Sequence, residues 1–332
     1  RCRAHHALPL CHKIEAMTMT PSQSHPTSSG SLADVLETPL TATTRTQSDL
    51  PTLGLALGGG GARGLAHIVV LEVIDELKLP VSCIAGTSIG SIIGWGRASG
   101  MTGAQMREIA MTTFLDSREV AARVWKMRPK NWGALRGMSM QLDADAVLSA
   151  FLPEGLKATF EELTTPLSVT TTDYYGWSSH TITAGPIKAA VSASIAIPFV
   201  FRPTVLNGRV HVDGGVVNPL PTGALGACDL TVAVDVIGGP EPAGENSGDA
   251  VDEPPSQLES ILGATQLCMQ TITKAHLERH PPDILITPPI ANFPALNFLK
   301  AQEVLMAADS KKELVRRQIS EGVEKWLRQR TA

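Results

Sequence analysis

From residue 53 the chain alternates between short apolar runs and stretches with helical spacing. Leu53-Gly54-Leu55-Ala56-Leu57 is a continuous apolar run, the pattern of a strand buried on both faces. Four consecutive glycines follow it. Leu65, Ile68, Val69, Val73 and Leu77 then recur at helical spacing, with Pro80 just beyond as a stop. Residues 81–85 predict a second buried strand, which enters Gly86-Thr87-Ser88-Ile89-Gly90 and a helix ending near Gly100. Strand, turn and helix thus occur twice in succession, which predicts a parallel sheet with crossover helices.

Beyond this unit, residues 101–165 read as mainly helical, with Trp125 and Trp132 in a basic, loop-like middle. Strands are predicted at 167–172, 180–183, 209–212, 230–236 and 284–286. Helices are predicted at 187–194 and 257–278, and one long helix from about 299 to 328. Residues 238–256 carry five acidic residues and no basic ones among several Pro and Gly, and read as a mobile acidic loop. At the other end, Ser, Thr and Pro supply 19 of the 36 residues from 17 to 52. Such a segment buries too little surface to offset its ordering entropy, so residues 1–52 are expected to be disordered. The chain begins with Arg1, and Met17 and Met19 are candidate starts; residues 7–10 are too short for a signal-peptide core.

Composition narrows the function classes. The chain has 332 residues, 43% hydrophobic and 18% charged, enough to bury a core without staples. Lys and Arg number 28 against 32 Asp and Glu, a net charge of −4, and only 4% of residues are aromatic. A nucleic-acid partner is therefore not expected. The five cysteines form no C-x-x-C pair, which predicts neither a disulfide framework nor a zinc site, and suggests a reducing, cytoplasmic compartment. His5, His6 and His12 read as tail histidines, so no metal is expected. The longest uncharged run, residues 79–96, carries Pro80 and four glycines and reads as buried interior, not as a membrane span.

Three elements carry candidate chemistry. In Gly86-x-Ser88-x-Gly90 a serine stands between a strand end and a helix start, a turn that exposes its hydroxyl and needs small flanking residues. The helix N-terminus behind it favours negative charge. In Gly58-Gly59-Gly60-Gly61-Ala62-Arg63-Gly64 the backbone N–H groups at another strand-to-helix turn can cradle an anion. Gly59, Gly61 and Gly64 satisfy the dinucleotide-binding spacing, but the acid expected at the end of the next strand is missing. An oxyanion hole fits the same cradle. The third element is Asp213-Gly214-Gly215, a carboxylate at a strand end. His211, two residues before Asp213, stays open as an alternative base; Asp173 and Asp235 also end strand-like runs but lack a motif. The C-terminal helix reads as a docked helix with a solvated face, transient contact with a lipid surface being the alternative.

In this order, the elements resemble the patatin-like phospholipase family, particularly its bacterial branch. Residues 53–100 carry G-G-G-x-R-G and G-x-S-x-G. Residues 193–221 carry Ser194-x-x-x-Pro198, Asp-Gly-Gly and Asn218-Pro219-Leu220-Pro221. The resemblance extends over about residues 53–330 and is weakest over the middle helices and the acidic loop. It implies a three-layer α/β/α sandwich with a central, mostly parallel sheet, and hydrolysis of lipid acyl esters by a Ser–Asp dyad without a catalytic histidine. Ser88 would then be the nucleophile and Asp213 the base. Gly59, Gly60 and Gly61, helped by Arg63, would form the oxyanion hole, with Gly64, Gly86, Gly90, Gly214 and Gly215 as supporting motif positions. No cofactor is implied. Phospholipids or lysophospholipids would be the substrates. A non-catalytic lipid-binding or regulatory protein on the same fold is the rival reading, and the sequence leaves the oligomeric state open.

Overall fold

A computed structural model describes residues 50–114, 141–238 and 257–331. Of residues 1–52, expected to be disordered, 1–49 lie outside the described residues, as do the acidic loop from 239 onward and Trp125 and Trp132; Thr52 is described, and its N–H donates to Asp229 Oδ2 at 2.8 Å. In chain order the elements are β1 (Leu53–Leu57), α1 (Ala66–Glu76), β2 (Val81–Thr87), α2 (Ile89–Ala98), α3 (Gly103–Phe114), α4 (Ala144–Phe151), β3 (Leu167–Asp173), β4 (Ser178–Ile182), α5 (Ile187–Ser194), β5 (Thr204–Leu206), β6 (Arg209–Asp213), β7 (Leu230–Val234), α6 (Gln257–Arg279), β8 (Ile284–Ile286), α7 (Ala301–Asp309) and α8 (Lys312–Thr331).

One sheet runs β5-β6-β3-β2-β1-β7-β8, with β4 also paired to β3. The central pairs β1–β2, β1–β7, β2–β3 and β7–β8 are parallel. Strands β4, β5 and β6 add antiparallel pairs at one edge. The sheet is thus mixed but mostly parallel and has helices on both faces, as the sequence pattern and the resemblance imply. Apolar runs make this possible, because a central parallel strand is covered on both sides. All five residues of β1 are buried. Leu55 and Leu57 face the large core beneath α1 and α2, whereas Ala56 faces a smaller cluster with Leu220, Ala233 and Leu277 of α6.

Two local expectations are corrected. The single C-terminal helix is two helices meeting at Ser310, whose hydroxyl donates to Ala307 O at 2.7 Å and competes with the helical ladder. This break lets α7 pack on α1 and the glycine-rich turn while α8 packs on β7 and β8. Strand β5 is not among the predicted strands; it is only three residues long and follows Pro203. It forms a hairpin with β6 through Asn207-Gly208, both with positive φ, a dipeptide that signals such a turn in the sequence.

Glu72 holds the helical layer together. It accepts hydrogen bonds from Arg107 Nε at 2.5 Å, from Arg107 Nη2 at 2.8 Å and from Lys312 Nζ at 3.0 Å, joining α1, α3 and α8. Arg107 also donates to Asp309 of α7. Glu72→Gln keeps the shape but removes the charge that three donors face. It is expected to lower unfolding stability by about 1–3 kcal/mol, read as a lower urea midpoint at unchanged slope.

Candidate active site

The carboxyl ends of neighbouring parallel strands bring the motifs together. Leu57 of β1 pairs with Gly86 of β2, so the glycine-rich turn after one strand lies beside the serine turn after the other. Asp213 arrives from the opposite direction at the end of β6, in register with Thr171 of β3. This is the crevice in which open α/β sheets place ligands.

Ser88 caps α2 with φ 54° and ψ −124°. A positive φ at a residue with a side chain costs about 1–3 kcal/mol and persists only where the surroundings enforce it. Three bonds enforce it here. The Ser88 N–H donates to Ser194 Oγ at 2.8 Å, and Ser194 Oγ donates to Thr170 O at 2.7 Å. Ser91 Oγ donates to Ser88 O at 2.6 Å. With the backbone so fixed, Ser88 Oγ donates to Asp213 Oδ2 at 2.6 Å. Gly86 in β2 and Gly90 in the first turn of α2 flank this elbow.

The second oxygen of Asp213, Oδ1, accepts the Gly215 N–H at 2.7 Å. Its backbone is held too: the N–H donates to Ala196 O at 3.0 Å, and its carbonyl accepts Thr172 Oγ1 at 2.8 Å. Gly214 packs on the backbone of Thr170. Burial pushes the Asp213 carboxyl up to about 6, against the pull of its bonds from Ser88 and Gly215. An aspartate near 4 is a weak base for a hydroxyl; one near 6 is stronger and remains mostly ionised at neutral pH.

The glycine-rich turn faces Ser88. A side-chain carbon added at Gly59 would lie 3.4 Å from Ser88 Cβ. The Gly59 N–H, however, donates to Pro219 O at 2.9 Å, which removes it from the expected oxyanion donors. The N–H groups of Gly60 and Gly61 make no such bond among the described residues. Gly61 has φ +60°, and any side chain there would strike the Ala295 carbonyl. Arg63 is buried and does not line the cavity that Ser88 faces. Its guanidinium packs beneath Gly238, pulled down to about 10 by burial and supported by the charge of Asp235. Arg63 thus braces the turn from behind, and Gly64 packs on Ile89 at the start of α2.

His211 is buried on β6, where its Nδ1 lies 3.0 Å from Thr171 Oγ1 and its ring packs on His180. Burial and the neighbouring His180 charge lower its pKa. The partner of Ser88 Oγ is Asp213. Asp173 is bound to Arg209 at 2.5 Å, so it is a structural carboxylate. Asp235 accepts the Ile237 N–H at 3.0 Å beside Arg63. One supporting residue has no motif to reveal it. His67 of α1, fully buried and held neutral by that burial with a pKa lowered to about 4, stands 2.9 Å from the Gly58 carbonyl. The neutral ring must therefore carry its proton on Nε2 and donate it to that carbonyl, anchoring the first glycine of the turn.

Ser88 and Gly61 line a cavity of about 660 Å³. Aliphatic and aromatic side chains of α2, α3 and α4 form its walls, and the turn at residues 294–299 closes one side. Among the described residues no helix is long and apolar enough to cross a membrane. No group of three or more His, Cys, Asp or Glu among them stands close enough to hold a metal ion.

The sequence profile of the patatin-like phospholipase family matches residues 55–225, which include the glycine-rich turn, Ser88 and Asp213. The chain belongs to this family. It is 34% identical over 193 residues to an uncharacterised NTE family protein of Mycobacterium tuberculosis, covering 58% of this chain and 51% of that protein. It is 26% identical over 289 residues to the lysophospholipase NTE1 of Kluyveromyces lactis, covering 76% of this chain and 18% of that protein. This patatin-like chain therefore spans about half the length of the mycobacterial relative and a smaller part of the yeast one. Among solved structures it is similar to VipD from Legionella pneumophila, with a TM-score of 0.44 and 14% identity over 81% of this chain and 67% of that chain.

Proposed function

We propose that this chain is a serine-dependent acyl hydrolase that cleaves fatty-acyl esters of phospholipids or lysophospholipids, its domain extending over about residues 53–330. The observation that carries the reading is the Ser88 Oγ to Asp213 Oδ2 bond of 2.6 Å beside an apolar cavity that Ser88 lines. Ser88 Oγ attacks the ester carbonyl carbon as its proton passes to Asp213 Oδ2. The carbonyl oxygen takes up the negative charge and is met by the Gly60 and Gly61 N–H groups, with the N-terminus of α2 adding its dipole. Collapse of this intermediate expels the alcohol, which leaves with the proton from Asp213, and Ser88 remains acylated. Water then gives a proton to Asp213 and attacks the acyl carbon; Ser88 leaves and regains its proton. The chemistry uses side chains and backbone of this chain alone. Family membership and the lysophospholipase relative support a lipid ester as substrate. The free thiols of Cys83, Cys228 and Cys268 fit a reducing, cytoplasmic site of action, with transient contact at the lipid surface that supplies the substrate.

The test is labelling by a fluorophosphonate probe together with release of fatty acid from lysophosphatidylcholine. Wild type is expected to do both and Ser88→Ala neither. A folded wild type that binds lipid but neither labels nor hydrolyses would instead support the non-catalytic lipid-binding reading. The rate of labelling also carries the signature of the base. Asp213 must be ionised to accept the proton, and its pKa is raised to about 6. The labelling rate is therefore expected to rise with pH through about 6 and level off above 7. A rate independent of pH between 5 and 7 would exclude Asp213 as the base.

A further inference from the structure

We infer that the end of this cavity remote from Ser88, where Met101 and Met106 pack against Gly96, sets the length of acyl chain the site accepts. The inference rests on the acyl-ester reading above and adds the feature that selects among such esters. Ile92 and Gly96, four residues apart on one face of α2, line the cavity together with Ser88, which stands just ahead of the helix. Eight residues of helix advance about 12 Å. Gly96 is the position in this row without a side chain, and the two methionines take up the room there. What lies behind it is soft: a side-chain carbon on Gly96 would stand 2.9 Å from Met106 Cε and 3.6 Å from Met101 Sδ. The wall beside it is fixed, because Trp95 Nε1 donates to Lys157 O at 2.8 Å and so secures the segment that carries Leu156.

An extended hydrocarbon advances about 1.3 Å per carbon for bonds of about 1.5 Å, so the row spans about nine carbons beyond the ester carbonyl. Chains of this length reach the methionines. Longer ones must displace those flexible thioethers or bend into the width between α3 and α4. A side chain at Gly96 has to push the methionines into the cavity and so shortens the path, and removing the Met106 side chain extends it. The two substitutions therefore move the preferred length in opposite directions, which a general loss of stability would not do.

The experiment measures wild type, Gly96→Leu and Met106→Ala in two ways. Straight-chain fatty acids from butyrate to stearate compete with a dansyl-labelled fatty acid for the cavity, and p-nitrophenyl esters of the same chains report turnover. Each buried methylene changes affinity by about fourfold. Gly96→Leu is thus expected to weaken decanoate and longer chains by about tenfold or more while the butyrate ester turns over within about twofold of wild type. Met106→Ala is expected to move the optimum about two or three carbons longer. Length profiles that superimpose in the three folded proteins would overturn the inference, as would a folded wild type that binds none of the acids. Binding profiles that shift as expected in proteins that hydrolyse no ester would sink the hydrolase reading and leave the length inference standing.

Discussion

Asp213→Asn is expected to lower ester hydrolysis by about a thousandfold, whereas His211→Ala keeps most of the activity. Asparagine preserves the outline of the carboxylate and can still accept the Gly215 N–H that now reaches Oδ1. It cannot take a proton from Ser88 Oγ, the group that donates to Oδ2 at 2.6 Å. The variant with this neutral amide should therefore fold like wild type and leave Ser88 without a base. His211 offers the contrast. Its ring nitrogen faces Thr171 Oγ1 and its ring packs on His180, so its loss leaves a small gap in the strand edge but does not disturb the Ser88–Asp213 pair. Initial rates on a soluble acyl ester, with circular dichroism to verify folding, decide the matter. The reverse ranking, with His211→Ala inactive and Asp213→Asn active, would assign the base to the histidine and end the dyad reading.

How much of this is legible in the sequence depends on how local each feature is. The serine elbow is local: a strand, a G-x-S-x-G turn and a helix lie within 20 residues, and each has its own pattern of spacing. The same holds for the glycine-rich turn and for Asp213-Gly214-Gly215. Ser194 is visible as part of Ser-x-x-x-Pro, but its work of receiving the Ser88 N–H depends on a contact 106 residues distant in the chain. His67 is hidden inside an apolar helix, where its neighbours Ile68 and Val69 set the pattern and nothing in the spacing points to the Gly58 carbonyl. The bond that occupies the Gly59 N–H is likewise long-range, since its acceptor is the carbonyl of Pro219. The cavity is the least local feature. Residues from α2, α3, α4 and the turn at 294–299 line it, and each segment by itself reads only as apolar core.

The second large effect is expected at Gly90. Substitution by alanine there should abolish most labelling of Ser88, by about a hundredfold or more, and lower the melting temperature. Gly90 lies in the first turn of α2, where the helix rests directly on the end of β1. A side-chain carbon at this position would occupy the space of the Leu57 carbonyl and lie 2.8 Å from Gly58 O. Neither group can retreat. Leu57 is held in the centre of the sheet by Gly86 on one side and Val234 on the other. The helix must therefore lift away, and the elbow lifts with it. That movement draws the Ser88 N–H from Ser194 Oγ and the hydroxyl from Asp213, so geometry is lost at each contact that holds Ser88. Gly94→Ala, one turn further along, is the control. Its added carbon would meet the methyl groups of Ile84 and Leu167 at 3.1 Å, side chains that can shift by a few tenths of an ångström. It should keep its fold and label within about fivefold of wild type, because packing adjustments that small usually cost less than about 1.5 kcal/mol. Equal labelling of the two alanine variants would show that the helix does not need backbone contact with β1 to hold Ser88 in place.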